Sequence, residues 1–389
     1  MLLAFTGCTL ITDEAIEAKF GDASADADAD TDTDTDSDTA SDTDTASDTD
    51  TASDTDTSGE TGLPDTGDTG PIPTDGTADW TDAGTLPEAR AYATAVFDGS
   101  GSRALVFGGL SYHQLAESVV SYDVGTAAWS TVATRGTSPG GRIGHGAMVD
   151  VTTDRMLLFF GETSHELSDG VFALDLSSLV WAHLSAAGVA PEPRTGAAVV
   201  VDEGGSRAII VGGKGYNGLL DDVWALDLTV TGSAAWSELS PSGTMGPRAF
   251  AAAALDPDHR SLYLFGGVGY HGLAEDIACL DLDTMAWSAP TLLGDAPLPA
   301  EDMSATWAEE YGGALVQGGA AYHGMLDQTW LFLGSAVCTL EGIELSNLGD
   351  TPSVARGAAL AWLPGDAQGL SVGGQGMHAL SNAARSVAP

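Results

Sequence analysis

The feature that most constrains the fold of this 389-residue chain is a short motif that recurs along it, an apolar run ending in a glycine pair. Five copies end at Gly108-Gly109, Gly212-Gly213, Gly266-Gly267, Gly318-Gly319 and Gly373-Gly374, and a degenerate copy ends at Gly161-Glu162. The first glycines are 51 to 55 residues apart. That period suits a unit of four short strands and is too long for a repeat of two helices. The sequence therefore predicts an all-β chain of similar units.

Four strand signals recur in the same order within each period, and we label these strands a to d. Strand a is rich in Ala and Val and follows an arginine, at Arg90, Arg142, Arg194, Arg248 and Arg356. Strand b carries the glycine pair, and strand c follows, as in the run Val-Trp-Ala-Leu-Asp-Leu at 223–228. Strand d carries a tryptophan, at Trp129, Trp181, Trp236 and Trp287. Short apolar runs bounded by Gly and Asp turns are typical of strands.

This order of glycine pair, apolar strand and tryptophan resembles the kelch repeat, and the resemblance covers residues 78–389. It implies a six-bladed β-propeller, which we place at residues 77–389. The last copy has no strand d, whereas Trp80 lies ahead of the first arginine as Trp129 lies ahead of Arg142. We therefore expect the N-terminal strand near Trp80 to close the sixth blade, which would remove unpaired sheet edges.

The net charge of −43 comes from 56 acidic and 13 basic residues, and it is divided between two regions. Residues 1–80 hold 22 acids and one base, a net of −21, and residues 81–389 hold 34 acids and 12 bases, a net of −22. The chain has two lysines, Lys19 and Lys214. Because nucleic-acid binders neutralise phosphates with Lys and Arg, this composition argues against a nucleic-acid partner.

The N-terminal region predicts a tether. Residues 9–76 are rich in Asp, Thr and Ser and poor in apolar side chains, which predicts a disordered acidic linker. Residues 1–8 resemble the end of a bacterial lipoprotein signal peptide, with a lipobox that ends at Cys8. That resemblance implies lipidation of Cys8 and a place in the cell envelope, anchored at the outer membrane or cell surface, or else secretion. Membrane contact is expected only through this anchor.

A candidate binding face follows from the strand order, because the d–a and b–c connections of an antiparallel blade share one face. The candidate residues there are Tyr112, His113, His165, Tyr216, Tyr270, His271, Tyr322, His323 and His378, with Arg142, Arg194 and Arg248. Acids follow on the same loops at Glu117, Asp169, Asp221, Glu275 and Asp327. Two interpretations stay open. Either these side chains contact a ligand, or each tyrosine packs on the next blade and each His or Arg bonds a neighbouring acid or carbonyl.

Further arginines and two cysteines have structural interpretations. Arg103, Arg155, Arg207 and Arg260 begin strand b, and Asp123, Asp175, Asp227 and Asp281 end strand c 20 or 21 residues later. Adjacent antiparallel strands would place these ends side by side, which predicts cross-strand ion pairs. For Cys279 and Cys338 the sequence favours small buried apolar side chains, and a disulfide between them stays the open alternative.

The sequence offers little catalytic chemistry. It shows no closely spaced metal ligands and no cysteine pair suited to zinc, so we expect no metal and no cofactor. Kelch-like propellers include copper radical oxidases, whose crosslinked Tyr and Cys have no counterpart placed on the candidate face. They also include sialic-acid epimerases, whose anionic sugar a face with Arg, Tyr, His and acids would suit. The leading hypothesis is a non-enzymatic, monomeric, surface-anchored module that binds protein or glycan, and a carbohydrate-active kelch enzyme is the alternative.

Overall fold

The computed structural model describes residues 76–230, 233–352, 355–377 and 379–389. These residues form β-strands joined by turns, with a short 3₁₀ helix at Glu309–Tyr311. The all-β prediction is therefore confirmed. Cys8 and the predicted linker up to residue 75 lie outside the described residues. Among the described residues, no helix has the length and apolar composition needed to cross a lipid bilayer.

The strands follow one another with short connections. In the first half of the described chain they are β1 (Thr77–Thr85), β2 (Thr94–Asp98), β3 (Arg103–Phe107), β4 (Val119–Asp123), β5 (Ala128–Val132), β6 (Arg135–Gly136), β7 (Gly146–Asp150), β8 (Arg155–Phe159), β9 (Val171–Asp175), β10 (Val180–His183), β11 (Ala186–Ala187), β12 (Ala198–Asp202), β13 (Arg207–Gly215), β14 (Gly218–Val230) and β15 (Ser233–Leu239). In the second half they are β16 (Arg248–Ala249), β17 (Ala252–Asp256), β18 (Ser261–Phe265), β19 (Val268–Gly269), β20 (Gly272–Leu273), β21 (Ile277–Asp281), β22 (Ala286–Ser288), β23 (Thr291–Gly294), β24 (Ser304–Ala308), β25 (Gly313–Gln317), β26 (Ala320–Ala321), β27 (Gly324–Met325), β28 (Thr329–Ala336), β29 (Thr339–Gly349), β30 (Ala359–Leu363), β31 (Gln368–Val372) and β32 (Ala383–Ala388).

Strand pairing groups the longer strands into antiparallel units of four, which we number along the chain. They are unit one (β2-β3-β4-β5), unit two (β7-β8-β9-β10), unit three (β12-β13-β14-β15), unit four (β17-β18-β21-β22), unit five (β24-β25-β28-β29) and unit six (β30-β31-β32-β1). The first strands contact one another in sequence, β2 with β7, β7 with β12, β12 with β17, β17 with β24 and β24 with β30. Strand β30 in turn contacts β2, so the first strands form a closed circle. This arrangement is that of a β-propeller.

The core lies between neighbouring units. A cluster containing Phe159, Phe160, Trp224 and Trp236 joins units two and three, and its Phe160 and Trp236 rings stack with centroids 6.0 Å apart. Corresponding clusters occur at each of the other junctions around the circle. Strand b is covered on both faces as a result, and β18 is buried along its whole length. This double burial explains why the strand-b segments are continuously apolar rather than alternating.

The N-terminal strand belongs to the last unit in pairing. Strand β1 pairs antiparallel with β32, with Trp80 opposite Val387, and it pairs in parallel with β29 of unit five. The Trp80 side chain is 1% exposed, and its Nε1 donates to Asn347 Oδ1 at 2.9 Å. Arg385 of β32 also donates to Asp82 of β1 at 2.7 Å. Residues from both ends of the described chain therefore share one sheet.

The predicted strand-c partners of the strand-b arginines are wrong. Arg103 is the Cα partner of Asp123 as the spacing predicts, but its Nε donates to Asp98, at the end of strand a, at 2.8 Å. Arg155 and Arg207 likewise bind the strand-a acids Asp150 and Asp202, and Arg260 binds Asp202 and Asp283. Asp98 is 1% exposed and must be paired, because a carboxylate out of water is costly.

The strand-c acids Asp123, Asp175, Asp227 and Asp281 have a different role, which is to cap the turns that follow them. Asp123, for example, accepts hydrogen bonds from the backbone and the hydroxyl of Thr126, which lower the pKa of its carboxyl group.

The cysteine interpretation is also wrong, because Cys279 and Cys338 form a disulfide with their Cα atoms 5.7 Å apart. Cys279 lies in β21 of unit four, and Cys338 lies in the turn between β28 and β29 of unit five. The turn reaches unit four because the Cys338 N–H donates to Ser261 Oγ at 3.0 Å and its carbonyl accepts from Thr291 N–H at 2.8 Å. Such contact between units is invisible in a linear spacing of 59 residues.

Candidate functional site

The candidate face is built from the loops between strands b and c, and we call their aromatic and histidine residues the loop ring. The tyrosines of this ring are partly exposed, with Tyr112 at 56%, Tyr216 at 46%, Tyr270 at 65% and Tyr322 at 60%. The histidines next in sequence are exposed as well. His113, His271 and His323 follow tyrosines, and His165 follows Ser164, which stands in the tyrosine register. His378 lies outside the described residues. The acids Glu117, Asp169, Asp221, Glu275 and Asp327 on the same loops are exposed too.

The tyrosine hydroxyls fasten each loop to the preceding unit. Tyr270 of unit four accepts from the Leu219 N–H at 3.1 Å and donates to the Leu219 carbonyl at 3.2 Å in unit three. Tyr216 makes the same pair of contacts with Leu167, and Tyr322 accepts from the Leu273 N–H at 2.8 Å. The sequence interpretation that each tyrosine packs on the next blade is therefore wrong in direction. Each tyrosine contacts the unit before its own and not the unit after it.

The same interlock joins units one and six, where the Tyr112 hydroxyl donates to the Leu380 carbonyl at 3.0 Å. Ser164 and Met377 stand in the tyrosine register of units two and six. Met377 is 72% exposed. The tyrosine interlock is thus replaced at two junctions, between units one and two and between units five and six.

The three candidate arginines are separated from the loop ring by burial. Arg142 is 2% exposed, Arg194 is 0% and Arg248 is 6%. Each donates to the carbonyl of the residue 18 positions later in its own unit, as Arg194 does to Gly212 at 2.9 Å. Arg194 also makes a two-pronged contact with Asp222 at 2.6 and 2.8 Å. These guanidinium groups hold the b–c loops from beneath, and Arg90 has the same role in unit one.

Arg142 differs from the other three because it has no side-chain acceptor at the corresponding place. Gly170 stands 28 residues after Arg142, where the other units have Ser118, Asp222 and Asp276. Arg142 donates instead to the carbonyls of Pro139 and Phe160 and lies over the Phe172 ring. Burial lowers its pKa to about 10.

Arg356 is not the equivalent of these arginines. Four residues that each follow a strand-a arginine form bridges to the residue after the glycine pair, and they are Ala91, Ile143, Thr195 and Ala249. In unit two this register makes Phe160-Gly161 the pair, so the sequence assignment of Gly161-Glu162 is wrong by one residue. Glu301 and Arg356 make the corresponding bridges in units five and six. Ala300 and Ala355 therefore occupy the arginine position there, and the spacing to Arg356 was misassigned by one residue.

A second polar group, which the repeat pattern did not predict, lies where the first strands converge. Arg356 lies 3.9 Å from Glu301 and 4.0 Å from Asp302, and its guanidinium carbon is 6.0 Å from the centre of the Tyr92 ring. The Tyr92 hydroxyl donates to Gln375 Oε1 at 3.1 Å. Burial and then the Asp302 charge raise the pKa of Tyr92. We call these five residues the axial cluster.

The axial cluster is held by backbone bonds between units. The position two residues after the arginine position has a positive φ near 60° in every unit. Its residues are Tyr92, Gly144, Gly196, Phe250, Asp302 and Gly357. The Tyr92 N–H donates to the Gly357 carbonyl at 2.7 Å, and the Gly357 N–H donates to the Asp302 carbonyl at 3.0 Å. Tyr92 and Asp302 thus stand where three other units have glycine, which is the signal that would have identified them.

The face is shallow. A concavity beside the b–c loop of unit five, lined by Asp327 but by no tyrosine or histidine of the loop ring, holds only about 10 Å³, which is room for about one water molecule. Small-molecule sites usually enclose about 300–1,000 Å³. Among the described residues, no group of three or more His, Cys, Asp or Glu side chains is arranged to hold a metal ion. The exposed surface of the loop ring therefore offers area rather than depth.

Comparison with known proteins agrees with this architecture. The KLHDC2/KLHL20/DRC7 Kelch-repeats domain family matches residues 75–249. The chain is 34% identical over 154 residues to Acyl-CoA-binding domain-containing protein 4 of Arabidopsis thaliana, which covers 38% of this chain and 22% of that protein.

Two human proteins match a longer part of the chain. Identity to Host cell factor 2 is 29% over 215 residues, covering 50% of this chain and 26% of that protein. Identity to Host cell factor 1 is 29% over 222 residues, covering 52% and 11%. The chain thus spans about a quarter or less of the length of these relatives. The repeat, the strand pairing and the family match agree, and the chain is a kelch-repeat protein.

Proposed function

We propose that this protein is a non-enzymatic binding module whose loop ring engages another protein. The observation that carries the proposal is the exposure of Tyr112, Tyr216, Tyr270 and Tyr322 on one face, at 46–65% of their surface. Tyrosine is enriched at the energetic centres of protein interfaces. Because the hydroxyls are anchored to the backbone of the preceding unit, the rings are held in place before a partner arrives. Such pre-organisation lowers the entropic cost of binding.

A protein partner suits this surface better than a glycan does. The loops present a shallow face, and the concavity of about 10 Å³ is too small to enclose a sugar ring. Exposed tyrosines with acids on the same loops suit a protein interface, because aromatic residues are enriched there. We place the contact on Tyr112, Tyr216, Tyr270, Tyr322 and the neighbouring histidines, and not on the buried Arg142, Arg194 and Arg248.

We further propose a six-bladed propeller, closed by the N-terminal strand, at the cell envelope or outside the cell. The pairing of β1 with β32 and the closed circle of first strands support the blade count and the closure. The disulfide between Cys279 and Cys338 supports an oxidising compartment, because cytosolic thiols are normally kept reduced. Lipidation of Cys8 and a tether formed by the acidic residues 9–76 complete this proposal.

The test is affinity capture from a cell-surface fraction with the full chain and two paired variants. Tyr270→Ala/Tyr322→Ala removes the rings, whereas Tyr270→Phe/Tyr322→Phe removes only the hydroxyls. We expect the Phe variant to retain the partner and the Ala variant to lose it by about tenfold or more, as truncation of an interface centre does. A partner retained equally by the Ala variant would show that binding uses another surface.

A further inference from the structure

Units five and six differ from the first four units beneath the loop ring. In units one to four a buried arginine donates to the carbonyl 18 residues later, at Gly108, Phe160, Gly212 and Gly266. Ala300 and Ala355 replace this arginine in units five and six. The carbonyls 18 residues after them belong to Gly318 and Gly373. Both units therefore keep the acceptor end of the arrangement without the guanidinium.

Small concavities mark these two places. One is lined by Ala355 and Gly373, together with Gln317, Gly318, Leu326, Asp327, Pro352, Ala358 and Ser371. The other is lined by Gln317, Gly318 and Leu326, together with Pro297, Met303, Val316, Gln328 and Trp330. Because they share three lining residues, we treat them as one feature and call it the notch between units five and six. The first concavity holds about 10 Å³ and the second about 0 Å³, so neither admits a guanidinium unless its lining moves.

The notch contains buried polar atoms without hydrogen-bond partners among the described residues. These are Gln317 Oε1, Gln328 Oε1 and Trp330 Nε1, and Thr329 Oγ1 is in the same state next to them in the chain. Gln317 is 8% exposed and Trp330 is 3% exposed. Gln328 stands 28 residues after Ala300, just as Asp276 stands 28 residues after Arg248 and binds it. The two glutamine oxygens are acceptors, whereas Trp330 Nε1 is a donor that a second donor does not satisfy. Buried acceptors left unpaired are costly, so Gln317 and Gln328 favour a donor that reaches them.

The notch carries one exposed acid, Asp327, in its lining. Arg356 follows the lining residue Ala355 and lies 3.9 Å from Glu301 and 4.0 Å from Asp302, so its charge is balanced by these acids. Residues 81–389 as a whole hold 34 acids and 12 bases. A cationic partner would therefore meet a complementary potential at this face, which speeds association and fixes orientation.

We propose that the notch receives an arginine side chain from a basic segment of the partner protein. That arginine would supply from outside the guanidinium that Arg90, Arg142, Arg194 and Arg248 supply within units one to four. The planar guanidinium has five N–H donors and suits several carbonyl acceptors at once, unlike the compact lysine ammonium. Insertion requires Met303 and Leu326 to move, and methionine is the most adaptable apolar side chain for this. This inference names the partner's chemistry and rests on the proposed function.

Fluorescence anisotropy with the full chain tests the proposal. The probes are three labelled peptides of the same Gly/Ser sequence that carry four arginines, four lysines or four citrullines. We expect the arginine peptide to bind about tenfold more tightly than the citrulline peptide and about threefold more tightly than the lysine peptide. Equal binding of the arginine and lysine peptides would reduce the effect to general charge attraction and overturn the proposal.

Variants locate the effect. Ala355→Arg supplies an internal guanidinium and should weaken binding of the arginine peptide about tenfold. Gln114→Arg adds the same charge to the exposed loop of unit one and should weaken binding less than about threefold. Circular dichroism and the melting temperature check the fold. Gln317→Leu is the second variant if Ala355→Arg does not fold, and it should also weaken binding, because it removes an acceptor without adding charge. Equal effects of Ala355→Arg and Gln114→Arg would contradict the notch assignment.

Failure of this inference is distinguishable from failure of the proposed function. If no basic peptide binds but capture of a partner still depends on Tyr270 and Tyr322, the notch proposal falls and the loop ring stands. If the arginine peptide binds through the notch while capture ignores the tyrosines, the loop ring falls as the main contact surface and the arginine site stands.

Discussion

At the scale of single residues, the loop ring depends on glycines that leave space for tyrosines from the next unit. Gly218 has a φ of +134°, and a Cβ there would lie 2.7 Å from the Tyr270 hydroxyl. Gly272 has a φ of +121°, and a Cβ there would collide with the Tyr322 hydroxyl. In unit five, Gly324 has the same kind of backbone, with a φ of +144°. No atom of the described residues lies within 4 Å of a Cβ there, and Met377 stands where the next tyrosine would be.

This difference gives a matched pair of substitutions. Gly272→Ala and Gly324→Ala share the cost of a positive φ, but only Gly272→Ala also displaces a tyrosine hydroxyl. We expect Gly272→Ala to lower the free energy of unfolding by about 0.5–1.5 kcal/mol more than Gly324→Ala, the net contribution of one hydrogen bond. Urea unfolding of both variants measures the difference. Equal losses would mean that the Tyr322 interlock contributes nothing to stability.

His145 predicts a pH dependence of stability. Its side chain is 5% exposed, and its Nε2 lies 2.9 Å from Thr94 Oγ1. Burial and then the neighbouring Arg142 charge lower its pKa to about 3, from an ordinary value of 6.5. The unfolded chain therefore binds a proton below pH 6.5 that the folded chain refuses until about pH 3, so stability falls as the pH falls through that window.

The matching variant is His145→Ala, because Ala93, Ala197 and Ala251 occupy the same register in other units. Between pH 7 and pH 5, the wild type should lose about 2 kcal/mol more than this variant. His165→Ala, at an exposed loop position, is the control and should keep the wild-type slope. Parallel curves for the wild type and His145→Ala from pH 7 to pH 5 would contradict the buried neutral state.

At the scale of elements, the junctions between units are fastened by different chemistry on the face opposite the loop ring. Units three and four share Asp202, whose pKa is lowered, against the effect of its burial, by hydrogen bonds from Arg260 and Arg207. Units four and five share the disulfide, and units five and six share the contact of Glu310 Oε2 with Trp362 Nε1 at 2.6 Å. The strand positions are thus the same in each repeat, whereas the contacts that join neighbouring units on this face differ from junction to junction.

The disulfide should be a major stabilising link. Cross-linking two residues 59 apart restricts the unfolded chain by about 4 kcal/mol in the chain-entropy account. Cys279→Ala/Cys338→Ala should therefore unfold at lower urea concentration than the wild type in the absence of reductant. Adding reductant should destabilise the wild type and leave the double variant unchanged. A wild type as stable with reductant as without it would contradict this role.

The sequence predicted elements better than it predicted contacts between them. The glycine-pair period located strands b, and the Arg103–Asp123 spacing gave the correct Cα register. It did not give the ion pair, because the buried Asp98 across the a–b turn competes more strongly for the same guanidinium. Arg356 was misassigned because a repeat of 51 to 55 residues leaves a one-residue ambiguity that only backbone pairing resolves.

At the scale of the whole molecule, the two ends of the described chain meet in unit six. The sequence pattern placed Trp80 in the strand-d register, and the structure pairs its strand with both β32 and β29. The repeat register could mark Tyr92 and Asp302 as exceptions at a glycine position, but it could not show that they meet Arg356, because these residues come from units one, five and six and meet only when the circle of first strands forms. Their proximity is a property of the ring and not of any single repeat.

Closure by β1 should matter for global stability. Trp80 is 1% exposed and packs in the cluster between units five and six, so Trp80→Ala should cost about 3–5 kcal/mol. Leu348→Ala, in the neighbouring strand β29 but 47% exposed, serves as the control with a small expected loss. Thermal unfolding of both variants measures the effect. An unchanged melting temperature for Trp80→Ala would show that the N-terminal strand is dispensable.

The most direct test of the central claim, that the loop ring binds a protein partner, is hydrogen–deuterium exchange of the full chain with and without the captured partner. We predict slower exchange at residues 112–118, 216–222, 270–276 and 322–328, which form the b–c loops. Residues 98–103 and 281–286, in turns on the opposite face, should exchange at the same rate in both states. Protection confined to those opposite turns, with no change in the b–c loops, would contradict the proposed function.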